Sequence, residues 1–158
     1  MNFRIGFGYD VHQLAEGIPF VLGGITVEHT KGPVAHSDGD VLIHALCDAL
    51  LGAANMRDIG YHFPDNSSEF KNIDSKLLLK RTSDLLANAK YKIGNVDCTI
   101  CLQKPKIKDA IPQMQKVLAG IMGIDEDDVS IKATTTEKLG FVGREEGVSA
   151  NVVALIYK

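Results

Sequence analysis

Apolar residues fall along this chain with two different periods. FRIGFGYDVH, residues 3–12, and PFVLGGITVEH, residues 19–29, carry Val, Ile and Phe with internal glycines and predict two strands, joined by a polar turn at Glu16 and Gly17 into a hairpin. From Ser37 the period lengthens. In SDGDVLIHALCDALLGAAN, Val41, Ala45 and Cys47 to Leu51 recur at helical spacing, and Ser37 or Asp38 can accept the first free N–H groups. SKLLLKRTSDLLANAK predicts a second helix, capped by Asp74 or Ser75 and ending before Gly94. NVDCTICLQ sets Val96, Cys98, Ile100 and Leu102 against Asp97, Thr99 and Cys101, the alternation of a strand. Pro112 fits the opening turn of a third helix, PQMQKVLAGIMG, because the N–H it lacks would be free there anyway. Two last strands, VSIKATT and SANVVALIY, flank the glycine-bearing EKLGFVGREEG. The order β, β, α, α, β, α, β, β predicts an α+β fold, an α/β sandwich in which a single mixed β-sheet carries its helices on one face.

The 158 residues fit one domain, 1–158, with no internal repeat, low-complexity tract or linker. No run is long enough to span a bilayer, and no charged-then-apolar leader stands at Met1, so the expectation is a soluble, cytoplasmic protein with no membrane partner. A formal charge of −3 without a basic stripe argues against a nucleic-acid surface, which needs concentrated Lys and Arg. An anionic ligand must then be caught locally, by metal or backbone. The three cysteines, Cys47, Cys98 and Cys101, are odd in number and make a disulfide framework an unexpected reading. Cys98 and Cys101 form a CxxC, but three residues apart on a strand they face opposite sides of the sheet, so they read as packed thiols.

The chemistry begins at GYDVHQ. On a strand Asp10 and His12 project to the same side while Val11 goes the other way, so a carboxylate and an imidazole converge from one rigid ribbon. That supplies two of the three ligands a catalytic zinc needs; a surface pair, or a histidine held by its neighbour, is the plainer alternative. The third ligand is open among His29, His36, His44 and His62. Asp40, His44 and Asp48, spaced by four, line one helical stripe, which is either a histidine oriented by a carboxylate one turn away or a solvated face. DIGYHFPD puts Asp58, Gly60, His62 and Asp65 in a loop that either turns the chain or approaches a hydroxylated ligand closely at Gly60. Lys104, Lys106 and Lys108 in LQKPKIK form a solvated rim or flank a phosphate. In ATTTEKLGF, Thr134 to Thr136 are good strand residues whose hydroxyls could also hold phosphate oxygens, and Glu137 suits a hard cation otherwise ligated by water and phosphate.

Taken together, GYDVHQ, AHSDGDVLIHALCDALLGAANMRDIGYHFPD and IKATTTEKLGFVGREEG resemble the 2-C-methyl-D-erythritol 2,4-cyclodiphosphate synthases of the non-mevalonate isoprenoid pathway, in order and from first strand to last. The resemblance implies that Asp10, His12 and His44 bind Zn2+ with a fourth position open to a substrate phosphate. It places His36 and Ser37 in a loop at the phosphates, with His36 and Thr135 as transition-state stabilisers. Asp58, Ile59 and Gly60 would bind the methylerythritol hydroxyls, with Phe63, Pro64, Asp65, Asn66 and Ser67 continuing that wall and Val11 contributing beside the zinc ligands. Leu102, Gln103, Lys104, Pro105, Lys106, Ile107 and Lys108 would form the cytidine pocket. Ala133, Thr134 and Thr135, with Thr136 beside them, would contact the nucleotide diphosphate, Glu137 would hold Mg2+ or Mn2+, and Phe141 and Arg144 would lie near a trimer axis. The same resemblance implies a homotrimer with active sites between subunits, acting on a small cytidine diphosphate substrate and releasing CMP as a phosphorus–oxygen lyase. A zinc-dependent phosphoester hydrolase and a non-catalytic nucleotide-binding trimer are the rival readings. Two positions depart from the pattern: Lys104 stands where relatives often carry a small residue, and Asn151 where some carry an acid near the trimer axis, which weighs against an isoprenoid diphosphate in the central cavity.

Overall fold

The computed structural model describes residues 2–64, 66 and 68–158. Its strands are β1 (Phe3–Glu16), β2 (Phe20–Leu22), β3 (Ile25–Val27), β4 (Lys31–Pro33), β5 (Lys92–Cys101), β6 (Val129–Thr134) and β7 (Gly147–Tyr157). Its helices are α1 (Val41–Ala53), the one-turn α2 (Ile59–His62), α3 (Ser75–Asn88), α4 (Ile111–Met122) and the one-turn α5 (Gly140–Gly143). Five strands form a sheet in the order β4-β1-β7-β5-β6, parallel only between β5 and β6, so the sheet is mixed as expected. No helix among the described residues is long and apolar enough to cross a membrane.

The predicted N-terminal hairpin is wrong in its partners. β1 pairs with β4 and, over eleven residue pairs from Phe3↔Tyr157 to Gln13↔Gly147, with the last strand of the chain. Residues 20–27 instead close on themselves as a separate two-stranded sheet, β2 against β3. Gly23 and Gly24 explain the difference: their φ angles of 61° and 78° are both left-handed, as a tight two-residue hairpin turn demands.

α1 lies between the sheet and α3, and its residues Val41, Leu42, Ile43, Ala45, Leu46, Cys47, Ala49, Leu50 and Leu51 have no exposed surface. Gly6 and Gly8 let it come that close. A Cβ at Gly6 would sit 1.8 Å from Ala49 O, and one at Gly8 1.8 Å from Ala45 O. Two strand residues advance about 6.6 Å and four helical residues about 6 Å, so β1 and α1 run past each other in step, in opposite senses. Continuing that step beyond Gly8 brings Asp10 and His12 to the N-terminal end of α1, where His44 lies.

The cap of α1 is neither Ser37 nor Asp38 but Asp40, whose Oδ1 accepts from Ile43 N at 3.0 Å. The same carboxylate accepts from Gly23 N at 3.0 Å and Gly24 N at 2.7 Å, tying the β2–β3 turn to the helix. Asp40 is fully buried, which pushes its carboxyl up, and these backbone donors offset only part of that penalty. α3 begins after Asp74, one of its two expected caps, and Pro112 occupies the first turn of α4.

Helices cover one face of the five-stranded sheet. On the other, Phe3, Ile5, Phe7, Tyr9 and Val11 of β1 and Val153 of β7 leave an exposed apolar surface. Cys98 is buried on the helix side, where burial pushes its thiol up to about 12, while Cys101 is half-buried and both are free. They are packed thiols, not a redox pair.

Candidate active site

Strand period puts Asp10 and His12 on the helix face of β1, and α1 brings His44 against them. Asp10 Oδ2 lies 2.9 Å from His12 Nε2 and 3.1 Å from His44 Nδ1, and the two ring nitrogens are 3.1 Å apart. Their side chains are only 26%, 16% and 12% exposed. Burial alone would raise the Asp10 carboxyl, but hydrogen bonds from His12 and His44 and their charge hold it well below the ordinary carboxylate range. Burial opposes charge on His44 too, yet Asp10, Asp40 and Asp38 bring it above its usual value. One carboxylate oxygen and two imidazole nitrogens meeting at one point form a borderline-soft donor set that fits a divalent ion such as zinc.

The other candidate histidines stand apart from this cluster. His29 packs against the Phe20 ring, and His62 Nε2 bonds Met56 O at 2.8 Å. His36 is exposed on the rim of a cavity of about 330 Å³, which His12, Ser37, His44, Ile59, Gly60 and Phe63 also line. Asp58 caps α2 beside it, accepting from Tyr61 N at 2.9 Å. Pro64 is half-buried and Asn66 exposed further along; Asp65 and Ser67 lie outside the described residues. Val11 points to the opposite, apolar face of the sheet, as the alternation requires.

Neither Asp40 nor Asp48 orients His44, contrary to the helical-stripe expectation, and the stripe is not a solvated face. Asp40 is spent on capping, and Asp48 Oδ1 accepts from Ile59 N at 2.7 Å, fastening the 58–60 wall to α1. Burial raises the Asp48 carboxyl. The partners of His44 Nε2 are hydroxyls instead: Ser75 Oγ at 2.9 Å and Ser37 Oγ at 3.2 Å. Ser75 Oγ in turn donates to Asp38 Oδ1. Asp38 and Ser75, which the sequence marks only as potential caps, thus sit directly behind the cluster; nothing in linear spacing relates them to His44, 31 residues from Ser75.

A second cavity, about 230 Å³, opens where β5 and β6 end. It is lined by Leu102, Gln103, Pro105, Lys106, Ile107, Lys108, Ala133, Thr134 and Thr135, joining two segments some thirty residues apart. Gln103 Oε1 is buried with no hydrogen-bond partner among the described residues. Lys104 turns away: its Nζ pairs with Glu145 Oε1 at 3.2 Å, and the peptide to Pro105 is cis. Beyond the cavity Thr135 Oγ1 donates to Glu137 Oε1 at 3.3 Å, and Glu137 is exposed. Glu137 belongs to no group of three metal-ligating side chains among the described residues, so it offers one carboxylate to a cation that brings its other ligands with it. Thr136 spends its hydroxyl on Leu139 O at 2.7 Å. Phe141 packs over Gly147, and Arg144 makes a twofold pair with Glu146 at 3.0 and 3.1 Å.

Cross-strand register relates the two cavities. Val11 pairs with Ser149, Ser149 with Cys101, and Cys101 with Thr134. They share one end of the sheet but stand two to three strand spacings apart, about 10–14 Å.

Residues 3–157 match the YgbB family. The chain belongs to the YgbB family. It is 67% identical over 156 residues to the 2-C-methyl-D-erythritol 2,4-cyclodiphosphate synthase of Bacteroides fragilis, covering 99% of this chain and 98% of that protein. Its fold is that of the bifunctional IspDF from Campylobacter jejuni, with a TM-score of 0.94 and 42% identity over 98% of this chain and 42% of that longer one. It also matches IspF of Plasmodium falciparum in a CDP complex, with a TM-score of 0.86 and 34% identity over 98% of this chain and 96% of the other. The α+β sandwich with a mixed sheet is therefore the YgbB architecture.

Proposed function

We propose that this YgbB chain is a 2-C-methyl-D-erythritol 2,4-cyclodiphosphate synthase of the non-mevalonate pathway, a cytoplasmic phosphorus–oxygen lyase. Its substrate is 4-diphosphocytidyl-2-C-methyl-D-erythritol 2-phosphate. An oxygen of the 2-phosphate attacks the β-phosphorus, the bond from that phosphorus to the oxygen bridging to CMP breaks, and CMP leaves with the electron pair. The observation that carries this reading is the meeting of Asp10, His12 and His44 within 3.1 Å of one another on a cavity rimmed by His36 and Ser37.

Two anionic groups must meet, so charge repulsion is the barrier. Asp10, His12 and His44 would hold Zn2+ and Glu137 would hold Mg2+ or Mn2+, which when bound would supply Lewis acidity to the phosphates. His36 and the Ser37 hydroxyl donate to phosphate oxygens at the rim, and the Thr135 hydroxyl does the same at the diphosphate. Asp58, Ile59 and Gly60 hold the methylerythritol hydroxyls, a role supported by the Asp48 bond that fixes Ile59 N. Leu102 to Lys108 hold the cytidine. No general base is needed, because the attacking phosphate is already ionised near neutral pH. Positioning removes roughly 7–11 kcal/mol of barrier in well-oriented intramolecular reactions.

The separation of about 10–14 Å between the cavities, with β7 between them, favours pairing the metal half of one subunit with the nucleotide half of a neighbour. The open apolar face of β1 is the surface for a homotrimer. Product analysis by phosphorus NMR tests the assignment. The expected products are the cyclic diphosphate and CMP; a linear phosphate product would instead make the protein a zinc hydrolase.

A further inference from the structure

Asp38 and Ser75 stand behind the metal cluster without a role in the reaction as written. Ser75 Oγ donates to Asp38 Oδ1, and Asp38 Oδ2 accepts from Ser75 N at 2.9 Å. A serine hydroxyl has one proton, and a carboxylate only accepts. With that proton committed to Asp38, Ser75 Oγ meets His44 Nε2 as an acceptor at 2.9 Å, so the proton between them belongs to Nε2. A metal-ligating imidazole is neutral and carries a single N–H, which when placed on Nε2 leaves Nδ1 its lone pair. Nδ1 is the nitrogen that faces Asp10 Oδ2 and His12 Nε2, each at 3.1 Å. We propose that Asp38 and Ser75 are positioning residues that hold His44 in its Nε2–H tautomer and so present Nδ1 to a divalent metal; the proposal rests on the metal reading of the Asp10, His12 and His44 cluster.

The surroundings support a fixed relay. Ser75 has no exposed surface, and Asp38 is fastened by Asp38 N to Ile73 O at 3.2 Å, while Asn72 N donates to His36 O at 2.8 Å. The loop bearing His36 and Ser37 is thereby laced to the start of α3, and the same carboxylate that orders the loop orders the ligand. A protonated Nε2 has no lone pair for Ser37 Oγ, 3.2 Å away, so the Ser37 hydroxyl, which accepts from Gly39 N at 3.2 Å, keeps its own proton for a ligand in the cavity.

Zinc affinity measured against a competing chelator, and nitrogen NMR of the histidine rings, test this without substrate. In the zinc-loaded wild type the proton is expected on His44 Nε2. Ser75→Ala is expected to bind zinc roughly 10- to 100-fold more weakly, and Ser75→Thr, which keeps the hydroxyl, to stay within about threefold. Asp38→Asn is expected to be at least as weak as Ser75→Ala although it is isosteric. Its amide NH2 either donates to Ser75 Oγ, turning that hydroxyl toward Nε2 and moving the imidazole proton to Nδ1, or opposes Ser75 N–H. Zinc on Nε2 in the wild type, or unchanged zinc affinity in Ser75→Ala, would overturn the relay while leaving the metal site standing. A wild type that binds no zinc would overturn the metal reading and the relay with it. Should Ser75→Ala not fold, the wild-type spectrum and Ser75→Thr still decide.

Discussion

The Asp10, His12 and His44 cluster and the Thr134–Glu137 segment are proposed to hold the two cations of one reaction, yet they are built in opposite ways. The first is made of a long strand and the most buried helix, with glycines that let their backbones touch and donor atoms already 2.9–3.1 Å apart. The second is an exposed strand end with two residues, Glu137 and Lys138, at left-handed φ of 53° and 64°, and a single carboxylate. The contrast is one of preorganisation: one chain alone assembles the donor atoms of the first proposed site, and the second proposed site would need phosphate, metal or a neighbouring chain to complete it.

The sharpest way to break the comparison is to remove the preformed end. His44→Ala should bind no stoichiometric zinc and lose activity by roughly 10³-fold or more, since a Lewis acid supplies several kcal/mol and each 1.36 kcal/mol is tenfold. Metal analysis beside a CMP-release assay checks this. An active, zinc-free His44→Ala protein would end the metal assignment.

Phe7→Asp addresses the other half, because it puts a carboxylate on the apolar β1 face while leaving the helix face untouched. The expected result is a monomer by sedimentation, with zinc content preserved and activity down by about 100-fold or more, as an unpaired buried charge costs several kcal/mol of assembly. An active monomer would show that one chain bridges the 10–14 Å by itself, about two to three strand spacings. Glu137→Gln comes next. Because Glu137 is exposed, stability should change by no more than about 0.5 kcal/mol. Zinc content should stay at the wild-type level, while the dependence of rate on added Mg2+ weakens, which titration of rate against Mg2+ reads directly.

The two ends also differed in how far the sequence revealed them. Alternation along β1 was enough to put Asp10 and His12 on one side, because a period of two is a local property of the backbone. It could not choose among four histidines, since His44 reaches the pair only through the packing of Gly6 and Gly8 on α1; the family resemblance made that choice. The polar residues Ser37, Asp38 and Asp40 all suit a cap, and local pattern had no means of seeing that Asp40 also binds the β2–β3 turn while Asp38 answers to Ser75. The same blindness paired β1 with its sequence neighbour when its actual partner, β7, lies at the other end of the chain. The cavity proposed to hold the nucleotide was visible as two motifs, LQKPKIK and ATTTEK, but that they adjoin follows from the parallel β5–β6 register.

Two lysines of the LQKPKIK motif allow the smallest test. Lys106 lines the pocket, whereas the Lys104 ammonium lies 3.2 Å from Glu145 and its side chain is 67% exposed. Sequence spacing treats them alike, because both flank Pro105. The structure separates them: Lys106→Ala should raise the KM for the cytidine substrate by roughly tenfold, the value of a charge-assisted bond near 1.4 kcal/mol, with kcat little changed. Lys104→Ala should leave KM within about twofold and stability within about 1 kcal/mol, since an exposed ion pair contributes little. Steady-state kinetics of the two variants side by side decides the matter; a larger KM effect from Lys104→Ala would mean that its pairing with Glu145 gives way when nucleotide binds.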